Sequence, residues 1–144
     1  MSWVRIWVHI VFTTKNREKN LNKEIREKIF MHIKQNAKDK NILLDCINGY
    51  MEHVHCLISL NREHSISKLN QLIKGESSRW INMNNLVRNK FSWQDDYWAV
   101  SVSESHLNAV REYIDNQEEH HRAKPFSEEI NEFMSKYGWT HQRG

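Results

Sequence analysis

The chain has 144 residues, enough for one domain with a substantial core, and its 39% hydrophobic and 27% charged content exclude a disordered chain. Two cysteines, Cys46 and Cys56, exclude a disulfide framework and a four-cysteine zinc site, and both lie in apolar runs where a reduced, buried thiol is expected. A formal charge of only +3 permits nucleic-acid binding without demanding it.

Trp3 to Phe12 reads as a first strand, with Val4, Ile6, Val8 and Ile10 alternating with Trp3, Arg5, Trp7 and His9. This start lacks the basic leader and long apolar stretch of a signal peptide. No span long enough to cross a membrane follows, so a cytoplasmic protein without a membrane partner is expected. Thr13 to Asn20 is a polar loop carrying Lys15, Arg17 and Lys19. Asn22 to Lys38 reads as a helix with an apolar stripe at Ile25, Ile29, Ile33 and Ala37. Ile42 to Ile47 is a second strand, and Asn48-Gly49 is a strong turn dipeptide before the third. Ser65 or Ser67 caps a second helix to about Asn82, striped by Leu69, Leu72, Ile73 and Trp80. Trp98 to Ser103 is a fourth strand, and a third helix runs from Glu104 or Ser105 through about His121. Pro125 breaks it, and a terminal helix, Ser127 to Tyr137, ends before Gly138.

The first six elements make βαββαβ, so the expected class is α+β. The arrangement is ferredoxin-like, an antiparallel sheet with helices on one face, plus a C-terminal helix. One domain, 1–144, is expected, with about 125–144 as a C-terminal extension. This scaffold hosts many functions, so side chains must decide the chemistry.

The third strand carries His53-Val54-His55 inside an apolar run. In a strand, residues i and i+2 share a face, so both imidazoles project side by side. Neutral imidazole is the commonest protein metal ligand, which makes a divalent metal the sharp reading and hydrogen-bonded strand histidines the bland one. On the third helix Tyr113 and Gln117 are i, i+4 neighbours on one face. Gln117 offers a hard amide oxygen. Two imidazoles and one amide oxygen leave positions open on a six-coordinate ion, which suits Mg²⁺ or Mn²⁺ better than a closed zinc site. Tyr113 can act as a nucleophile. A phenolate leaves phosphorus more easily than an alkoxide, so a phosphotyrosine keeps the energy of a cut strand for rejoining.

Glu52-His53-Val54-His55 followed by Leu57-Ile58-Ser59 resembles the HUH motif, and Tyr113 to Arg122 resembles the tyrosine helix of single-tyrosine HUH transposases, the insertion-sequence 200/605 group. Thr14-Lys15-Asn16-Arg17, Gln71 to Ser78 and Ser101-Val102-Ser103 fit the same pattern in order. The resemblance implies a DNA transposase that cuts and rejoins single-stranded DNA at hairpin-bearing ends through a 5′-phosphotyrosine. It implies Mg²⁺ or Mn²⁺, a homodimer, Tyr113 as nucleophile and His53, His55 and Gln117 as metal ligands. Two positions depart from the family pattern: Glu52 stands for a more usual Asp, and Trp98 for a small residue in a glycine-bearing turn near Asp95 to Trp98. The alternatives are a domesticated relative that processes genomic palindromes and a non-catalytic single-stranded nucleic-acid-binding module.

Lys15, Arg17, Lys74, Arg79, Arg88 and Lys90 are candidates for a phosphate-binding face. Trp80, Trp93 and Trp98 suit base stacking or, more simply, packing. His120 and His121 read as a solvated helix end, and His9 as a hydrogen-bonded sheet histidine. Glu52 reads as a partner of a histidine or as a turn residue.

Overall fold

The computed structural model describes residues 1–137; the expected Gly138 stop and the rest of the extension lie outside the described residues. Four strands, β1 (Ile6–Thr14), β2 (Leu43–Gly49), β3 (His53–Leu60) and β4 (Trp93–Val102), form one antiparallel sheet in the order β2-β3-β1-β4. Helices α1 (Lys23–Asp39) and α2 (Ile66–Met83) cross over between the strands and cover one face. This is the expected ferredoxin-like arrangement. The C-terminal helices α3 (Leu107–Asp115), α4 (Gln117–Ala123) and α5 (Phe126–Tyr137) lie on the opposite face.

Strand alternation explains both layers. Val8, Ile10 and Phe12 of β1 and Val54, Cys56 and Ile58 of β3 join Ile29, Ile33, Leu69, Ile73 and Ile81 in the main core. Their neighbours in sequence point the other way, so His9, Val11, His53, His55 and Leu57 meet α3 and α5. Helix starts follow the capping residues. Asn22 accepts from the Ile25 amide at 2.9 Å, and Ser65, rather than Ser67, accepts from the Lys68 amide at 3.0 Å. Cys56 is buried, Cys46 is intermediate, and both are free thiols.

The structure differs from the sequence reading in four places. β1 starts at Ile6, because Trp3 and Val4 reach past the pairing with β3 and stay exposed. β4 starts at Trp93, so the stretch expected to be a turn, Asp95 to Trp98, is paired strand. Asn48 and Gly49 are the last residues of β2, opposite His55 and Val54, and the chain reverses over residues 50–52 instead. Glycine is required there, because a Cβ on Gly49 would stand 2.1 Å from the His53 carbonyl oxygen.

The expected continuous third helix is a 3-10 turn (Glu104–His106) followed by α3 and α4, with Asn116 between them at φ −96° and ψ 18°. Asn48 reaches across from β2 and its Nδ2 donates to the carbonyls of Ile114 at 2.9 Å and Asp115 at 3.1 Å. That satisfies carbonyls at the end of α3, so the break is held from outside. No helix among the described residues is long and apolar enough to cross a membrane.

Candidate active site

His53 and His55 stand side by side on β3, fully buried, with ring centroids 5.1 Å apart. Each is oriented through its Nδ1. The Nδ1–H of His53 donates to Glu52 Oε1 at 2.7 Å, and His55 Nδ1 is 2.8 Å from His9 Nε2 on β1. Both Nε2 atoms therefore turn the same way, toward α3–α5. Glu52 is thus both the last residue of the reversal and the histidine partner, the carboxylate–histidine pairing that supports many metal-binding imidazoles.

α3 and α4 bring the other two expected residues. Gln117 is fully buried despite the helix break before it, and its Oε1 lies 3.1 Å from His53 Nε2. Tyr113 is half-buried, with its ring centroid 5.7 Å from that of His55. All four residues, predicted from two distant segments, meet within one chain.

The site also contains Glu129 of α5, which the sequence reading missed. Glu129 is 0% exposed. Its Oε1 is 3.0 Å from His55 Nε2 and 3.7 Å from His53 Nε2, while Oε2 accepts a hydrogen bond from the Tyr113 hydroxyl and lies 3.1 Å from His121 Nε2. A signal was present. Phe126, Ile130 and Phe133 form the buried stripe of α5, and Glu129 interrupts that stripe with a carboxylate. His121 is not solvated either: it is buried, and its Nδ1–H donates to the Lys124 carbonyl at 2.8 Å. His120 is partly exposed, with its Nε2 3.1 Å from Glu129 Oε2. Phe126 stacks on His53 at 4.0 Å and closes that side against water.

Burial acts on every titrating group here. It pushes His9 down to about 3, helped by His55, and His55 down to about 4 against the pull of Glu129. Burial also pushes the Tyr113 phenol up, and the Glu129 carboxylate adds to the rise. Burial alone would raise Glu129, but hydrogen bonds from His121 and His55 outweigh it and hold the carboxyl well below its ordinary range. The donor set suits a divalent cation: imidazole nitrogens, an amide oxygen and a carboxylate converge, with His53, His55 and Glu129 offering atoms all within 4.8 Å of one another.

The basic candidates scatter. Lys15 and Arg17 are exposed after β1, and the Arg17 guanidinium lies 5.3 Å from the Phe126 ring centroid, at the rim of the site. Lys74 is engaged in structure, donating to the carbonyls of Gln94 at 2.5 Å and Asp95 at 3.0 Å, which ties α2 to β4. Arg79, Arg88 and Lys90 are exposed on α2 and the segment after it, on the far layer of the sheet, where Arg88 and Lys90 line an open cleft with Asn82 and Asn85. Trp93 is core and donates to Ser77 Oγ at 2.9 Å, Trp80 stacks on His32 at 4.0 Å, and Trp98 packs with Phe126. Packing, not base stacking, accounts for all three.

Comparison with known proteins bears on the fold and the family. A solved structure of a candidate transposase from Deinococcus radiodurans R1 superimposes with a TM-score of 0.65 at 21% identity, covering 81% of this chain and 93% of that one. A REP-associated tyrosine transposase bound to a REP hairpin superimposes with a TM-score of 0.58 at 15% identity, covering 85% and 71%. No curated protein matches. At these identities the likeness shows the fold alone. The family model "Transposase IS200 like" matches residues 2–117, a span that contains β1 to β4, both strand histidines, Tyr113 and Gln117. The chain therefore belongs to the IS200-like transposase family.

Proposed function

We propose that this protein is a metal-dependent DNA strand transferase that cuts and rejoins single-stranded DNA with Tyr113 as nucleophile. The observation that carries the reading is the meeting of Tyr113 and Gln117 with His53 and His55 in one buried cluster. His53, His55 and Gln117 would hold Mg²⁺ or Mn²⁺. A divalent ion bound there supplies Lewis acidity to the scissile phosphate and positive charge beside the phenol.

The residues of the chain divide the remaining work. Glu52 and His9 fix the two imidazoles so that their Nε2 atoms face the substrate side. Glu129 Oε2 holds the Tyr113 hydroxyl in place. Phe126 and Phe133 limit water access. In the cleavage step the Tyr113 oxygen forms a bond to phosphorus and sheds its proton, while the bond from phosphorus to the 3′ oxygen breaks and that oxygen takes up a proton. The products are a 5′-phosphotyrosine and a free 3′-OH. Attack by a 3′-OH on the phosphotyrosine reverses the chemistry and rejoins strands without ATP.

The substrate we propose is a hairpin-bearing single strand, with Lys15 and Arg17 nearest the site and Arg79, Arg88, Lys90 and Lys74 as more distant phosphate contacts. The hairpin in the REP-associated structure supports this choice, and it favours a second reading: processing of palindromes dispersed in a host genome. The working form would be a cytoplasmic homodimer, each 1–144 chain a single unit with its own site.

The test mixes the protein with labelled hairpin-bearing single strands and Mg²⁺ or Mn²⁺, then separates products on denaturing gels. A DNA-linked protein band is expected, lost in Tyr113→Phe and with chelator. Hairpin binding with no adduct on any strand would make the protein a binding module instead.

A further inference from the structure

We propose that Glu129 is a fourth protein ligand of the ion held by His53, His55 and Gln117, so that α5 is a working part of the active site. This rests on the metal-dependent reading above and extends it to a residue beyond the span that the family model matches.

Spacing is the first argument. Ligand atoms about 2.1 Å from one ion, at octahedral to tetrahedral angles, lie about 3.0 to 3.4 Å apart. Glu129 Oε1 is 3.0 Å from His55 Nε2 and His53 Nε2 is 3.1 Å from Gln117 Oε1, both within that range, while Glu129 Oε1 and His53 Nε2, at 3.7 Å, fall just outside it and would draw together on an ion. Proton accounting is the second. The Nδ1 of His53 faces only the Glu52 carboxylate, so it carries the proton of the neutral ring and Nε2 carries a lone pair. That lone pair points at Gln117 Oε1, itself an acceptor. Gln117 keeps this orientation because its Nε2 faces the Tyr113 carbonyl and Glu129 Oε2, each at 3.5 Å. Acceptors converging without a hydrogen between them call for a cation.

Burial is the third argument. A carboxylate at 0% exposure on the apolar stripe of a helix is costly unless charge is returned to it, and its neighbours are imidazoles rather than lysine or arginine: His53, His55, His120 and His121, at 3.0 to 3.7 Å. The two carboxylate oxygens then serve different ends. Oε1 faces the ligand imidazoles, and Oε2 holds the Tyr113 hydroxyl and His121. Four protein ligands still leave room on a six-coordinate ion for a phosphate oxygen.

The test is Mn²⁺ binding by the full chain without DNA, read by calorimetry and by loss of the free-ion electron paramagnetic resonance signal. Wild type is expected to bind one ion per chain. Glu129→Gln is expected to weaken binding at least tenfold, while Met31→Ala, a substitution on the exposed side of α1 in the far layer of the sheet, is expected to bind as wild type does. Glu129→Asp, which keeps a shortened carboxylate, is expected to fall between wild type and the Gln variant and gives the answer if the Gln variant does not fold. Binding by the Glu129 variants as tight as wild type, or tighter, would overturn the assignment alone and make Glu129 an occupant that competes with the ion. Wild type that takes up no Mn²⁺ would overturn the metal-dependent reading with it.

Discussion

Along β1 and β3, the residues facing α1 and α2 are Val8, Ile10, Phe12, Val54, Cys56 and Ile58, with no hydrogen-bonding side chain beyond a thiol. Those facing α3 and α5 include His9, His53 and His55, buried just as completely. The same two strands thus feed a dry apolar layer on one side and a polar cluster on the other. The apolar layer stabilises through area removed from water, and buried polar side chains on α2 are few there: Ser77, which is hydrogen-bonded, and Asn70, whose side-chain amide has no partner among the described residues. The polar layer gains little from burial. It persists because its imidazoles, carboxylates and amide satisfy one another, and each depends on a neighbour to stay in place. Stability and the proposed chemistry therefore fall on opposite faces of one sheet.

The strongest test of that division is a truncation on the apolar side. Ile10→Ala removes a residue 1% exposed at the centre of β1 and leaves a cavity beneath α1 and α2. A loss of about 2–5 kcal/mol in unfolding free energy is expected, measured by urea denaturation. Mn²⁺ affinity of the folded fraction is expected to stay at the wild-type value. An affinity that falls along with stability would mean that the two layers are coupled through β1.

An effect of similar size is expected from acid, and it belongs to the polar side. His9 and His55 titrate at about 3 and about 4 in the folded chain, against about 6.5 for a free imidazole. Their folded values lie below the unfolded one, so the unfolded chain binds more protons in the window between. Stability is complete above pH 6.5 and falls as pH drops toward 4, by about 1.4 kcal/mol per pH unit for each histidine at most. Glu129, also held below its ordinary value, adds a loss of the same sign below about pH 4.5. Urea midpoints measured in chelator from pH 7.5 to 4.5 should decline, and His9→Gln should decline less steeply. A flat wild-type profile would mean that these imidazoles are not buried as neutral groups.

The apolar layer was the more legible of the two. Period-2 alternation in β1 picks out Val8 and Ile10, which end in the core, along with Val4 and Ile6, which stay exposed at the strand's start. The i, i+4 stripe of α1 places Ile29, Ile33 and Ala37 in the core with Ile25 at its edge. The His-Val-His spacing placed two imidazoles on one face by the same strand alternation, and Tyr113 with Gln117 found the helix opposite. What pattern did not reveal were contacts made across the fold. Glu129 drew no reading of its own in the terminal helix, since its burial depends on α5 lying over β1 and β3. His121 read as a helix end for the same reason, and Lys74 as a candidate phosphate contact although β4 carbonyls hold its ammonium. The early start of β4 escaped because Gln94, Asp95 and Asp96 are poor strand formers that pairing with β1 overrides.

The finest test lies where the polar layer is tied to the sheet edge. Asn48 ends β2 and donates to the carbonyls of Ile114 and Asp115, next to the break that precedes Gln117. Asn48→Ala frees the Asp115 carbonyl on an exposed residue and leaves the Ile114 carbonyl with the Asn116 amide, so a stability loss of only about 1 kcal/mol is expected. Gln117 would lose the support that fixes where α4 begins, and Mn²⁺ affinity should fall by about tenfold, the lower end for a residue that positions a ligand. Asn48→Asp sharpens the same point, since it sets a carboxylate against two carbonyl oxygens and should cost more on both measures. If either substitution left Mn²⁺ affinity untouched, Gln117 would be held by its own buried contacts, and the helix break would be a packing feature with no part in the site.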